Sequence, residues 1–164
     1  MIQLRVLGAL DLRAEGGRVI QPLLRQPKRA ALLAYLGSAA PLGSFHRRDT
    51  LVALFWPELD DAHARGALNT ALRFIRQSAG QDVILSRGSA EVGLDPLRVD
   101  CDAAAFSSAL ANGRLERALE LYRGDLLEGF HLSDAPQFDE WLERERSRLR
   151  TWGRRSTSQG RTAR

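Results

Sequence analysis

The chain has 164 residues, of which 44% are hydrophobic and 27% charged, a composition typical of globular proteins and unlike that of disordered or fibrous ones. Its one cysteine excludes an intramolecular disulfide framework, and no stretch approaches the roughly 20 apolar residues of a membrane span. The first residues lack the basic and apolar run of a signal peptide, so we expect a cytoplasmic protein with no membrane partner.

The formal charge of +4 is unevenly distributed. Residues 1–98 carry a net +4, residues 99–150 a net −4, and residues 151–164 a net +4. Such asymmetry is a hint of nucleic-acid binding in one part of a chain. All but one of the 24 basic residues are arginines, which suit bidentate phosphate and guanine contacts. The arginine codons of a GC-rich genome are an alternative explanation of that bias.

The apolar periodicity changes along the chain. Alternation with a period of two predicts an antiparallel meander at about 2–7, 9–14 and 18–21. Helical spacing follows at about 26–38, and a loop at 39–44 leads to a second helix that opens at Arg48 and ends before Pro57.

A third helix is predicted from the Asp60-Asp61 cap to Gly80, followed by a β-hairpin at 82–94. Every element after Val99 is predicted to be helical, at about 102–112, 114–128 and 136–152. Three helices with a hairpin directly after the third are the layout of a winged helix-turn-helix, in which the third helix enters the major groove of DNA.

The third helix has an apolar arc and an opposite basic arc without acidic residues. Arginine, asparagine and threonine match base edges or phosphates, and Gly66 on the same arc would let DNA approach closely. The candidate recognition residues are Arg65, Asn69, Thr70, Arg73 and Arg76. An accidentally basic solvent face is the alternative.

Three further arginines are candidates for DNA contacts outside the third helix. Arg87 is predicted in the turn of the hairpin, where a wing would present a cation to the minor groove or to a phosphate. Arg47 and Arg48 lie at the start of the second helix, where backbone N–H groups favour an anion, which predicts a phosphate contact.

Six segments of the chain resemble the SARP-type antibiotic regulatory proteins. Residues 26–36 (QPKRAALLAYL), 48–56 (RDTLVALFW) and 64–76 (ARGALNTALRFIR) resemble their OmpR/PhoB-type winged helix. Residues 99–102 (VDCD), 118–129 (ALELYRGDLLEG) and 138–146 (FDEWLERER) resemble the start of their bacterial transcriptional activator domain.

The resemblance implies an α+β chain with a winged helix-turn-helix at 1–97 and a partial TPR-like helical domain at 98–153. Residues 154–164 have no apolar periodicity, which predicts a disordered basic tail. It implies a sequence-specific regulator, an activator, that binds double-stranded DNA as a homodimer with RNA polymerase as a further partner. Carried over by position, Arg65, Asn69, Thr70, Arg73 and Arg76 would face the DNA, with Arg87 in the wing.

The family's activator domain is usually longer than the segment after Val99, so we expect a truncated or frameshifted member. Its helical part would then leave an apolar face uncovered near Leu121, Trp141 and Leu149. A protein–protein adaptor that uses the acidic helical part without specific DNA binding is the alternative function.

No enzymatic activity, cofactor or metal is expected. The sequence has no phosphate-binding glycine motif, and its three histidines and Cys101 have no metal-ligand spacing. The acidic neighbours of Cys101 raise the pKa of its thiol, which argues against a nucleophile. We therefore predict neither catalytic nor metal-binding residues.

Overall fold

The structure, a computed structural model, describes the backbone of residues 1–162 and the side chains of residues 1–155. Within this part the chain is a mixed α+β protein, as predicted, with seven α-helices and two three-stranded sheets. The strands are β1 (Ile2–Arg5), β2 (Asp11–Arg13), β3 (Phe45–Arg47), β4 (Ile84–Arg87), β5 (Glu91–Leu94) and β6 (Val99–Cys101). The helices are α1 (Gln21–Leu24), α2 (Pro27–Ser38), α3 (Arg48–Phe55), α4 (Asp61–Ala79), α5 (Asp102–Ala111), α6 (Leu115–Leu121) and α7 (Pro136–Thr162).

The first sheet has the order β2-β1-β6, with β1 antiparallel to β2 and parallel to β6. The predicted meander is wrong in its third strand, because residues 18–21 contribute only the isolated bridge between Arg13 and Val19. Helix α1 begins at Gln21 and has Pro22 in its first turn, so the chain is helical from residue 21 and cannot continue as a strand. The third strand of the sheet is instead β6, which pairs with β1 and lies in a segment predicted to contain no strand.

The second sheet has the order β3-β5-β4 and contains the predicted hairpin. Its third strand, β3, was not predicted, because three residues are too few to show a period-two alternation. The backbone of β3 approaches closely at Gly93 of β5, where an added Cβ would lie 2.5 Å from the carbonyl oxygen of Ser44. Glycine at this position therefore permits the close approach of β3.

Helices α2, α3 and α4 lie where they were predicted, to within one or two residues, and α1 is an additional short helix. In the C-terminal part, α6 ends at Leu121, whereas the sequence predicted residue 128. The residues that follow pair with the end of the first strand, since the N–H of Leu127 donates to the carbonyl of Val6 at 2.7 Å. This long-range contact replaces the last two predicted turns of helix.

Helix α7 is longer than predicted. Residues 154–164 were expected to be disordered, but the backbone of residues 154–162 continues α7, and residues 163 and 164 lie outside the described part. Extending an existing helix adds a hydrogen bond for each residue fixed, so polar residues can prolong a helix whose first turns are held by packing.

The N-terminal and C-terminal parts share one hydrophobic core. The ring centroid of Phe55 on α3 lies 5.1 Å from that of Phe138 on α7, and Tyr35 lies 4.8 Å from Trp141. The apolar face expected to be uncovered is therefore covered: Trp141 packs on α2, and Leu149 is only 4% exposed. The predicted boundary at residues 97–98 and the TPR-like character of the helices stay predictions.

Two charged side chains attach the C-terminal part to the rest of the chain. The carboxylate of Asp102 accepts hydrogen bonds from the N–H groups of Val6 and Leu7, at 2.8 and 3.0 Å. The guanidinium of Arg146 donates to the carbonyls of Leu126, at 2.8 Å, and of two further residues of the same loop. Both groups satisfy backbone atoms that no helix or sheet pairs.

Candidate nucleic-acid interface

Helix α4 is fixed in its rotation by its cap and its buried face. The carboxylate of Asp60 accepts a hydrogen bond from the N–H of His63 at 2.8 Å, and this bond holds the pKa of Asp60 below its usual value. The buried residues of the helix are Ala64, Leu68, Ala71, Leu72 and Ile75. Their spacing determines which side chains face solvent.

The face of α4 opposite the core is the basic arc of the sequence prediction. Its exposed members are Arg65, Gly66, Asn69, Thr70, Arg73 and Gln77, and Arg76 is half-buried. No acidic residue occurs between Ala62 and Ala79. Within the described part of the chain, the side chains of Thr70 and Arg73 have no hydrogen-bond or ion-pair partner, so they are available to a ligand.

Arg48 connects the start of α3 to both α4 and the second sheet. Its backbone N–H donates to the carbonyl of Ala90 at 2.8 Å, and its Nη1 donates to Oδ1 of Asn69 at 2.7 Å. Its Nε is buried and has no partner among the described residues. Arg47, one residue earlier, is exposed and lies 3.9 Å from the carboxylate of Asp49.

A cavity of about 270 Å³ lies where these elements meet. Its lining includes Arg47, Arg48, Arg65, Asn69 and Ser89. The structure therefore brings three of the predicted site residues, Arg48, Arg65 and Asn69, to one cavity at the end of α4 nearest its N-terminus. Arg73 lies farther along the same helix, on its exposed side.

Arg87 is placed differently from its prediction. It is the last residue of β4 rather than a turn residue, and it makes two hydrogen bonds to the carboxylate of Glu91, at 3.2 and 2.7 Å. Its guanidinium carbon lies 4.5 Å from the ring centroid of Phe45 on β3. The hydrogen bonds to Glu91 raise the pKa of Arg87, and the pairing offsets its charge on the hairpin.

Arg76 on α4 contacts a strand of the hairpin. Its Nη2 lies 3.5 Å from Oγ of Ser86 on β4, so it spans the space between α4 and the second sheet. This places it beside the hairpin, at the opposite end of the helix from Arg65.

The sequence prediction missed two basic residues at the start of α2. Lys28 and Arg29 line a cavity of about 300 Å³ together with Thr70 of α4. The guanidinium of Arg29 lies 4.6 Å from the ring centroid of Phe74, whereas Lys28 pairs with Asp134 at 2.8 Å. The signal that could have identified these two residues is their position: two adjacent basic residues directly after Pro27, at the N-terminus of a helix.

Other reactive groups do not form a second site. Burial raises the pKa of the Cys101 thiol to about 11, so the thiol is neutral at physiological pH. In the described part of the chain, no cluster of three or more histidine, cysteine or acidic side chains could hold a metal ion. None of the helices there is both long and apolar enough to cross a membrane.

Comparisons with known proteins identify one informative neighbour. No family model matches the chain, and no curated protein matches it. Among solved structures, EmbR of Mycobacterium tuberculosis, in complex with a low affinity phosphopeptide, is similar over 95% of this chain with a TM-score of 0.66 and 19% sequence identity. The chain has a fold similar to that of EmbR. It spans 43% of the EmbR chain.

The EmbR likeness covers both parts of the chain, because 95% coverage includes residues on both sides of position 98. The predicted resemblance is therefore confirmed at the level of the fold. At this identity it transfers neither residues nor activity, so the roles of the basic face depend on this chain's own geometry.

Proposed function

We propose that the chain is a non-enzymatic transcription regulator that binds double-stranded DNA in a sequence-specific manner, with α4 in the major groove. Helices α2 to α4 and the second sheet act as a winged helix-turn-helix in this proposal. The observation that carries it is the exposed, acid-free face of α4 with Arg65, Asn69, Thr70 and Arg73.

The chemistry of this face matches what DNA presents in its major groove. An arginine can donate two hydrogen bonds to guanine, asparagine can pair with adenine, and threonine can contact a base or a phosphate. Thr70 and Arg73 have no partner in the described residues, so binding would not have to break an existing bond. An ordinary solvated helix face usually mixes positive and negative charges, and this one does not.

Elements on both sides of α4 would hold the DNA backbone. Arg47 at the N-terminus of α3 is exposed, and backbone N–H groups there favour a phosphate. On the hairpin, Arg87 is stacked and paired with Glu91, so it would contact a phosphate or the minor groove through the outer edge of its guanidinium. Arg76 lies between the two elements.

The SARP-like fold supports a regulatory role. Activation, binding as a homodimer and contact with RNA polymerase are implied by the family resemblance, and we include them in the proposal. The shared core around Phe55 and Phe138 would keep the C-terminal helices in a fixed position relative to the DNA.

A salt titration of duplex binding tests the proposal. Duplexes are first selected from a random pool, and binding to the enriched sequence is then measured at several salt concentrations. Binding through several phosphates weakens steeply with salt. Arg73→Ala should cost about 1–3 kcal/mol on the selected sequence.

Arg144→Ala is the matched control, because Arg144 is an exposed arginine on α7, in the acidic part of the chain. It should leave duplex affinity unchanged. If the wild-type chain binds no duplex even at low ionic strength, the DNA proposal is wrong and the adaptor alternative is favoured.

A further inference from the structure

Arg48 is held inside the interface instead of extending from it. Its backbone is tied to Ala90 in the hairpin turn, and its guanidinium donates from Nη1 to Oδ1 of Asn69 at 2.7 Å. Its Nε is buried. By contrast, the neighbouring Arg47 has a side chain that is 71% exposed. Arg48 is therefore poorly placed to act as a free phosphate ligand.

The contact with Arg48 determines the orientation of the Asn69 amide. A guanidinium has only donors, so the atom of Asn69 that faces it is the carbonyl oxygen and not the NH₂ group. The amide is planar, and its Nδ2 donors therefore lie on the side away from Nη1. The exposed group that Asn69 can offer to a ligand is a donor.

This orientation changes what Asn69 can recognise. An unrestrained asparagine pairs with adenine by donating to N7 and accepting from the N6 amino group, whereas guanine presents two acceptors, N7 and O6. With one lone pair of Oδ1 already bonded to a cation, an approaching amino group has only the second lone pair to donate to, and it meets the positive charge of the guanidinium there. A base edge made of acceptors avoids both.

We propose that Arg48 is a positioning residue that makes Asn69 a donor and so directs it to guanine instead of adenine. The inference rests on the proposed function, because it concerns the base that α4 selects. It assigns different roles to adjacent arginines: Arg47 binds the DNA backbone, and Arg48 sets specificity without touching a base.

The test is a selection of duplexes from a random pool with the wild-type chain and three variants. In Asn69→Ala, the position of the selected sequence that loses its base preference is the base pair that Asn69 contacts. Arg48→Met should change the preference there from guanine to adenine, with a shift of roughly tenfold or more in the ratio of the two affinities. Arg47→Met is the matched control, and it should keep the guanine preference while the salt slope falls by about one.

Asn69→Asp keeps the contact with Arg48 but removes the donors of Asn69, and the exposed position makes it safe for folding. It should lose the guanine preference without changing the thermal unfolding curve. An unchanged preference in this variant would overturn the inference.

Three other results would also overturn it. The first is that Arg48→Met weakens binding to all sequences equally and lowers the salt slope as Arg47→Met does, because that is the behaviour of a phosphate ligand. A wild-type preference for adenine at this position, or no change at any position in Asn69→Ala, contradicts the orientation argument. If the wild-type chain enriches no sequence at all, the proposed function itself fails. The selection separates this outcome from failure of the inference, in which sequences are enriched but the base preference differs from the expected one.

Discussion

The exposed face of α4 and the contact between α3 and α7 are built on opposite principles. On α4, arginines and polar groups project into solvent, and Thr70 and Arg73 touch no partner in the described residues. Between α3 and α7, Phe55 and Phe138 are fully buried against each other. Folding therefore constrains the α3–α7 contact and leaves the exposed face of α4 free. Substitutions should lower stability in the α3–α7 contact and change ligand binding on α4.

The largest expected effect is in the α3–α7 contact. Phe138→Ala removes a ring that packs against Phe55 and Trp141, and should lower the free energy of unfolding by about 3–5 kcal/mol. Urea denaturation measures it. Leu97→Ala is the control, because Leu97 is 79% exposed and its loss should change stability by less than about 0.5 kcal/mol.

The same measurement tests whether the two parts of the chain unfold together. Because they share one core, Phe138→Ala should shift a single transition. Two transitions, with only one displaced, would show that the N-terminal part folds independently of α7.

A smaller loss is expected at Arg146, whose side chain is 12% exposed. Arg146→Ala leaves the carbonyls of Leu126 and Phe130 without their side-chain donor and removes one of the two donors to the carbonyl of Leu127, and should cost about 2–3 kcal/mol. Arg144→Ala, two residues earlier on the exposed side of α7, should cost almost nothing. Because alanine is a better helix former than arginine, helix propensity does not account for a loss in either variant. Equal losses in the two variants would mean that the carbonyl contacts are not responsible.

The smallest expected effect is on α4 and has the opposite sign. An added Cβ at Gly66 meets no atom within 4 Å, so Gly66→Ala should stabilise the chain by about 0.5–1 kcal/mol. The same methyl group should weaken duplex binding if DNA approaches this face closely. Thermal unfolding and a duplex titration of the same sample measure the two effects.

Gly113→Ala is the contrasting variant. Gly113 has a φ of +69°, so alanine should destabilise the chain there by about 1 kcal/mol without affecting duplex binding. If Gly66→Ala binds the selected duplex as tightly as the wild-type chain, DNA does not approach α4 at Gly66.

The sequence predicted the elements that are specified by their own residues, and it missed those that depend on a partner distant in sequence. Helix α4 follows from a side-chain cap at Asp60 and an apolar residue every three or four positions, and both signals lie within the helix itself. Strand β6 could not be predicted in this way, because its partner β1 is more than half the length of the chain away in sequence. Strand β3 is too short for a periodic signal.

The candidate site was predicted in its residues but not in its contacts. Burial on α4 separates the arc of Arg65, Asn69 and Arg73 from the core, as the helical period indicates. The bond between Arg48 and Asn69 joins two helices, and that between Arg87 and Glu91 crosses a hairpin turn. Such pairings depend on how elements pack, which the spacing of residues along one element does not reveal.

The parallel pairing of β1 with β6 has a consequence for synthesis on the ribosome. Ile2 and Leu4 emerge long before Val99 and Cys101, the residues with which they pair. Until the later segment has emerged, β1 has an open edge, and exposed strand edges can pair with other chains. For the same reason, a fragment cut at residue 97 would lack an edge strand of the first sheet, and one that extends through α5 would retain it.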